Sequence, residues 1–206
     1  MEPPNPAAVT FLTTEHFTLQ GARAATIAEA TGRASMFLAS LSGGLVALGL
    51  VATATKVGTA FYAFGLVLLP TLAFVGLMSF ERVLQSGIED FGYARRIATL
   101  RGFYFELAPE LAPYLMSVPP GQRLMAQGIP ASRWQGFRTV AGMVGVVTAV
   151  LAGATVALLC GVLFDHRLAP ALVAGGVVAA SSLLALMRFQ HAAWSRAQRS
   201  PLTIDA

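Results

Sequence analysis

Charge is what this sequence has least of. Charged side chains make up 12% of its 206 residues, against roughly one quarter in ordinary soluble domains, while 55% are hydrophobic and the mean hydropathy is +0.65. So few charges cannot clothe a water-soluble exterior. Cysteine is rarer still. The lone Cys160 excludes an intramolecular disulfide framework and gives redox chemistry little support. Catalytic signatures are missing as well: there is no glycine-rich phosphate loop with a lysine, no Gly-x-Ser-x-Gly and no His-Glu-x-x-His. His16, His166 and His191 are scattered, so no three-ligand metal set is evident and no cofactor is called for.

The missing charges leave four long gaps. No Asp, Glu, Lys, Arg or His occurs in Ala34–Thr55, Val57–Phe80, Thr139–Phe164 or Leu168–Met187, which are 22, 24, 26 and 20 residues long. At about 1.5 Å per residue, roughly 20 helical residues span a hydrocarbon core of about 30 Å. The sequence therefore predicts an all-α, polytopic membrane protein with four transmembrane helices in two hairpins and cytoplasmic helical extensions. Its segments are an N-terminal stretch with a helix at 1–33, hairpins at 34–80 and 139–187, a helix and proline-rich loop at 81–138, and a tail at 188–206. More than thirty residues precede the first gap, a poor fit to a secretory signal peptide, so that run is read as an uncleaved span. Met1–Ala8, with three prolines, is expected to be disordered.

Orientation follows from the basic residues, which are retained on the cytoplasmic side. Twelve of the fourteen fall in the N-terminal segment, the central loop and the tail, and only Lys56 and Arg167 lie in the two tight turns opposite. Both termini and residues 81–138 are thus expected in the cytoplasm, in a bacterial plasma membrane. Thirteen of the fourteen being Arg suggests a GC-rich bacterial genome. The formal net charge of +4 is accounted for by this topology and by attraction to the lipid bilayer, with no nucleic-acid partner. Arg133 and Trp134, with Arg138, and then Arg188, Trp194 and Arg196 read as interfacial anchors.

Small residues supply the most regular pattern. Ala141, Gly145, Ala149, Gly153, Ala157 and Gly161 recur at every fourth position of the third run. Ala39, Gly43 and Ala47 do so in the first, and Ala171, Gly175 and Ala179 in the fourth. Such spacing lets helix backbones approach closely in lipid, either inside one protomer or in a homo-oligomer. The second run, with Phe61, Tyr62, Phe64, Phe74 and Phe80, is expected to face lipid, bent at Pro70. Beyond it, Phe80, Leu84, Ile88, Phe91 and Ile97 step along one helical face to about Leu107.

The functional classes separate on what the spans omit. Proton relays, ion-coupled transporters and voltage sensors place ionisable groups in the membrane, and these four runs have none. An oligomeric pore lined by Ser35, Ser40, Ser42 and Thr53 is the runner-up reading. A lipid-handling enzyme, the third, would need Glu81, Glu89, Asp90, Glu106 or a histidine to act. Glu106 and Glu110 are four apart, but Pro109 between them interrupts a common helix. The favoured expectation is a non-enzymatic interaction or scaffold protein with a cytoplasmic helical stalk and a cytoplasmic protein partner.

The stretch from Thr18 to Ala30, leading into Gly32-Arg33, and the continuation Phe80-Glu81-Arg82-Val83-Leu84-Gln85 resemble a family of actinobacterial four-pass membrane proteins. That resemblance implies the fold over most of the chain and no mechanism. A looser similarity of plan, without shared motifs, links the chain to bacterial two-pass effector domains thought to perforate membranes.

Overall fold

The computed structural model describes residues 6–111, 135–164 and 168–200. Those residues are helical almost throughout. Helix α1 spans Pro6–Thr55, α2 Thr59–Leu107, α3 Val140–Leu163 and α4 Leu168–Arg199, with 3₁₀ turns at Pro109–Leu111 and Gln135–Arg138. All four helices are long and apolar enough to cross a membrane. In hydrocarbon every backbone N–H and C=O must be paired within the protein, and a continuous helix does this by itself.

Helix α1 differs from its expected form only in where it begins. The N-terminal helix and the first span are one uninterrupted run of 50 residues, about 75 Å long. This run starts earlier than expected, since Pro6, Ala7 and Ala8 are helical. Proline is well suited to the first helical turn because its absent N–H would have no intrahelical acceptor there. Helix α2 is nearly as long, 49 residues, and continues through Pro70. Both helices therefore pass from the apolar segment into the charged one without a break, and their charged halves form a stalk. At about 1.5 Å per residue, Pro6–Arg33 and Glu81–Leu107 each extend roughly 40 Å past the apolar runs.

The second span is not the lipid-facing helix that its aromatics suggested. Helix α2 packs against both α1 and α3, α3 packs against α4, and among the described residues α1 and α4 do not pack against each other. The arrangement is an open row in chain order with α2 and α3 central. Within the most apolar stretch of each helix, 28% of α2 and 22% of α3 is buried, against 6% of α1 and 11% of α4. Aromaticity misled because the buried face of α2 is built from Gly65, Leu69, Leu72, Gly76 and Phe80, whereas Phe74 points outward. Gly76 is the tightest point. A Cβ there would collide with Thr148 Oγ1 of α3 and lie 2.9 Å from Phe37 Cζ of α1. Phe37 and Phe80 are each only 1% exposed.

A short turn joins α1 to α2. The Val57 N–H donates to Ala52 O and the Gly58 N–H to Thr55 O, each at 3.0 Å. Lys56 and Val57 take φ values of 50° and 58°, the left-handed region that is costly for a β-branched side chain.

Two stability predictions follow from these contacts. Gly76→Val overfills the three-helix contact and will lower stability by about 2 kcal/mol, read as a lower thermal midpoint in detergent. Val57→Gly relieves the left-handed strain and will raise stability by about 1 kcal/mol, read as a higher midpoint; an unchanged midpoint would mean that the turn is unstrained.

Candidate functional site

The stalk is the part of the molecule that carries chemistry, and its sequence explains how it holds together. Leu19 and Thr26 on α1 and Val83, Leu84, Ala94 and Ile97 on α2 are all buried, and the two helices pack against each other along a narrow, mainly apolar seam. Polar links flank that seam. Arg23 Nε donates to Asp90 Oδ1 at 2.7 Å, and its Nη2 to Oδ2 at 3.4 Å. Nearer the apolar segment, Arg33 Nε and Arg82 Nε both donate to Glu29 Oε1 at 3.0 Å. Exposed ion pairs stabilise only modestly, so these mainly fix the register between α1 and α2. The two hydrogen bonds from Arg33 and Arg82 hold the Glu29 carboxyl below its ordinary pKa.

At the far end, Tyr104 Oη donates to Leu12 O at 3.2 Å, and the rings of His16 and Tyr104 lie 5.8 Å apart. Burial, followed by the charge of Arg101, lowers the pKa of His16. Its Nε2 lies 2.7 Å from Gln20 Nε2, and Nδ1 is buried without a hydrogen-bond partner.

Helix α4 joins the lower stalk. Trp194 packs edge-on against Phe91 of α2, with ring centroids 5.7 Å apart, so its ring contributes to stalk packing. Arg95 sits over the Phe91 ring at 5.9 Å and donates to Ser200 O at 3.0 Å. A positive group at the end of α4 also complements the negative end of the helix dipole. Arg138, Arg188 and Arg196 are exposed. Arg133 and Trp134 lie outside the described residues, as do Arg123, Pro113, Pro119, Pro120, Asp165, His166 and Arg167.

One node escaped the reading of the sequence. Gln190 is 3% exposed, and its Nε2 donates to Gly136 O at 3.1 Å and to Thr139 Oγ1 at 3.2 Å. Thr139 caps α3 by accepting from Gly142 N at 3.0 Å and donates to Gly136 O at 2.7 Å. This set pins the entry of α3 to α4. A threonine placed directly before an apolar run is an N-cap signal, whereas nothing in the local sequence distinguishes Gln190 from its basic neighbours.

The small residues divide into those in contact and those left open. A Cβ on Gly153 would lie 2.5 Å from Gly175 O and 2.7 Å from Ala179 Cβ, and one on Gly175 would lie 2.7 Å from Ala157 Cβ. These four residues bring α3 and α4 together at backbone distance. Ala141, Ala149 and Ala171 are buried too. A Cβ on Gly145 would lie 3.1 Å from Phe80 and 3.4 Å from Met187, so this position faces the inside of the protomer. Around Gly43 and Gly161, by contrast, nothing lies within 4 Å of a built Cβ. Ala39 is exposed and Ala47 half-buried. On α1 it is Gly44 that approaches α2, where a built Cβ would lie 2.9 Å from Leu72.

The hydroxyls weighed for a pore lie on α1, and those of Ser40, Ser42 and Thr53 donate to Met36 O, Leu38 O and Leu50 O of their own helix. Helix α2 ends at Leu107, before Glu110. Among the described residues no three His, Cys, Asp or Glu side chains gather as a metal-binding set.

The Glu29 links carry a pH prediction. Because the folded-state pKa is lowered, their contribution is complete above the ordinary Glu range and is lost as pH falls through the lowered value. Thermal midpoints of the wild type and Glu29→Gln should differ most near neutrality and converge below about pH 4; a constant gap would show that the carboxylate charge is irrelevant. Comparison with protein-family models, curated proteins and solved structures finds no match to this chain.

Proposed function

We propose that this is a non-enzymatic, membrane-embedded interaction protein whose helical stalk engages a protein partner in the cytoplasm of a bacterial cell. The observation that carries this reading is the continuity of α1 and α2, which leave the apolar segment as helices of 50 and 49 residues and stay registered by Arg23–Asp90 and Arg82–Glu29. A surface that is already ordered loses little conformational entropy on binding. The excess of basic residues at the stalk end supports a cytoplasmic stalk, and Arg138 and Arg188 are suitably placed to meet anionic headgroups of the bilayer. On the outward side of α2, Gln85, Glu89 and Arg96 are exposed and of mixed charge, as suits a reversible protein contact.

The test is site-specific photo-crosslinking in living cells. A benzophenone side chain at Gln85 or Arg96 should give a discrete protein adduct, and one at lipid-facing Val67 should not; absence of an adduct at both stalk positions would sink the reading. Ion flux through the purified protein in sealed liposomes should equal that of empty liposomes, and protein-dependent flux would favour the oligomeric pore in its place.

A further inference from the structure

The tip of the stalk is held by few polar contacts. Described ion pairs between α1 and α2 end at Arg23–Asp90. Beyond that pair lie buried Leu19 and Ile97, then His16, whose ring is 5.8 Å from that of Tyr104, and last the hydrogen bond from Tyr104 Oη to Leu12 O at 3.2 Å. A change in His16 therefore falls on one of the last links that close α1 onto α2.

The surroundings of His16 suit a neutral ring. The residue is half-buried, and its two nitrogens differ. Nε2 has the amide nitrogen of Gln20 at 2.7 Å, so it accepts there and the ring proton sits on Nδ1. Nδ1 is enclosed and has no hydrogen-bond partner. In a protonated ring both nitrogens donate. Turning the Gln20 amide would bring its oxygen to Nε2 and repair that side alone, leaving Nδ1–H as a charged donor shut from solvent with no acceptor, an expensive arrangement.

Neighbouring charge acts in the same direction. Burial first, and the positive charge of Arg101 second, hold His16 below the ordinary histidine range. Arg101 and Tyr104 are the charged and titratable groups that α2 brings to the ring. On α1 the ring meets Gln20 and, edge-on at 6.4 Å, Phe17. No carboxylate is among these groups to offset a new positive charge, and the adjacent Glu15 is exposed, where water and salt screen it.

We propose that the stalk tip is a proton-operated latch, in which neutral His16 closes α1 onto α2 and its protonation releases the two helices as far as the Arg23–Asp90 pair. The sign follows from linkage. A histidine whose closed-state pKa is lowered favours closure above its open-state value, about 6.5. That contribution is lost as pH falls through the open-state value towards the closed-state one. The response thus lies in the histidine range, above the carboxyl range in which the Glu29 links fail. The latch belongs to the stalk itself and needs no partner, so it stands or falls apart from the interaction reading.

The test uses the full chain in nanodiscs, in a Cys160→Ser background with nitroxide labels on Thr13→Cys and Gly102→Cys. Both positions are exposed, and nothing lies within 4 Å of a Cβ built on Gly102. Pulsed EPR at about pH 7.5 and about pH 5.5, on either side of the ordinary histidine value, should show one short distance at the higher pH and a growing longer one at the lower. The open-to-closed ratio should rise several-fold, with about tenfold per pH unit as the ceiling for one proton. His16→Gln should abolish the change and Glu29→Gln should leave it intact. Independently of any variant, NMR titration of isotope-labelled histidine rings in the wild type should place His16, identified by its contact with Tyr104, below the ordinary value. An unchanged distance distribution, a rise that survives in His16→Gln or vanishes in Glu29→Gln, or a His16 ring that titrates at or above the ordinary value would each overturn the latch.

Discussion

Close backbone approach at the centre of the row is the constraint on which the remaining architecture depends. Hydrocarbon gives no hydrophobic drive between helices, so cohesion comes from packing at short range. Gly76 admits Phe37 from one side and Thr148 from the other, and α1, α2 and α3 are joined there. One turn further, Phe80 fills the space left by Gly145. With α2 fixed on both flanks, its continuation beyond the apolar segment is fixed too, and α1 and α4 are placed against it.

The features legible in the sequence are those written by the solvent. Charge-free runs mark where hydrocarbon replaces water, and the helical stepping of Phe80, Leu84 and Ile97 coincides with buried positions in the stalk. Helix order was less accessible. In lipid the outside of a helix is as apolar as its inside, so the aromatics of α2 do not report which face is covered. Buried Gly65 and Gly76 do, through the side chains that lie against them. The early start of α1 was also hidden, because its threonine-rich beginning is held by tertiary contacts such as Tyr104 with Leu12. The Gln190 node joins residues more than fifty positions apart, a separation at which local pattern carries no information.

The small-residue repeats show that one motif has two environments. Gly153 and Gly175 meet across α3 and α4, whereas Gly43 has no neighbour, although both belong to runs of identical spacing. Spacing states that a helix can be approached; only the placement of the other helices states whether it is. The open row makes this distinction sharp, because its outer members retain a whole uncovered side.

The unbroken passage of α1 and α2 from lipid into water has a mechanical corollary. Two helices packed along their length and held in register by ion pairs would behave as a lever with its fulcrum at the membrane surface. With an arm of roughly 40 Å, a change of about 10° in the tilt of the apolar segment displaces the stalk tip by roughly 7 Å, comparable to the width of a helix. The tilt of an apolar helix is set chiefly by its packing against neighbouring helices, so the contacts of α2 with α1 and α3 would also aim the stalk tip.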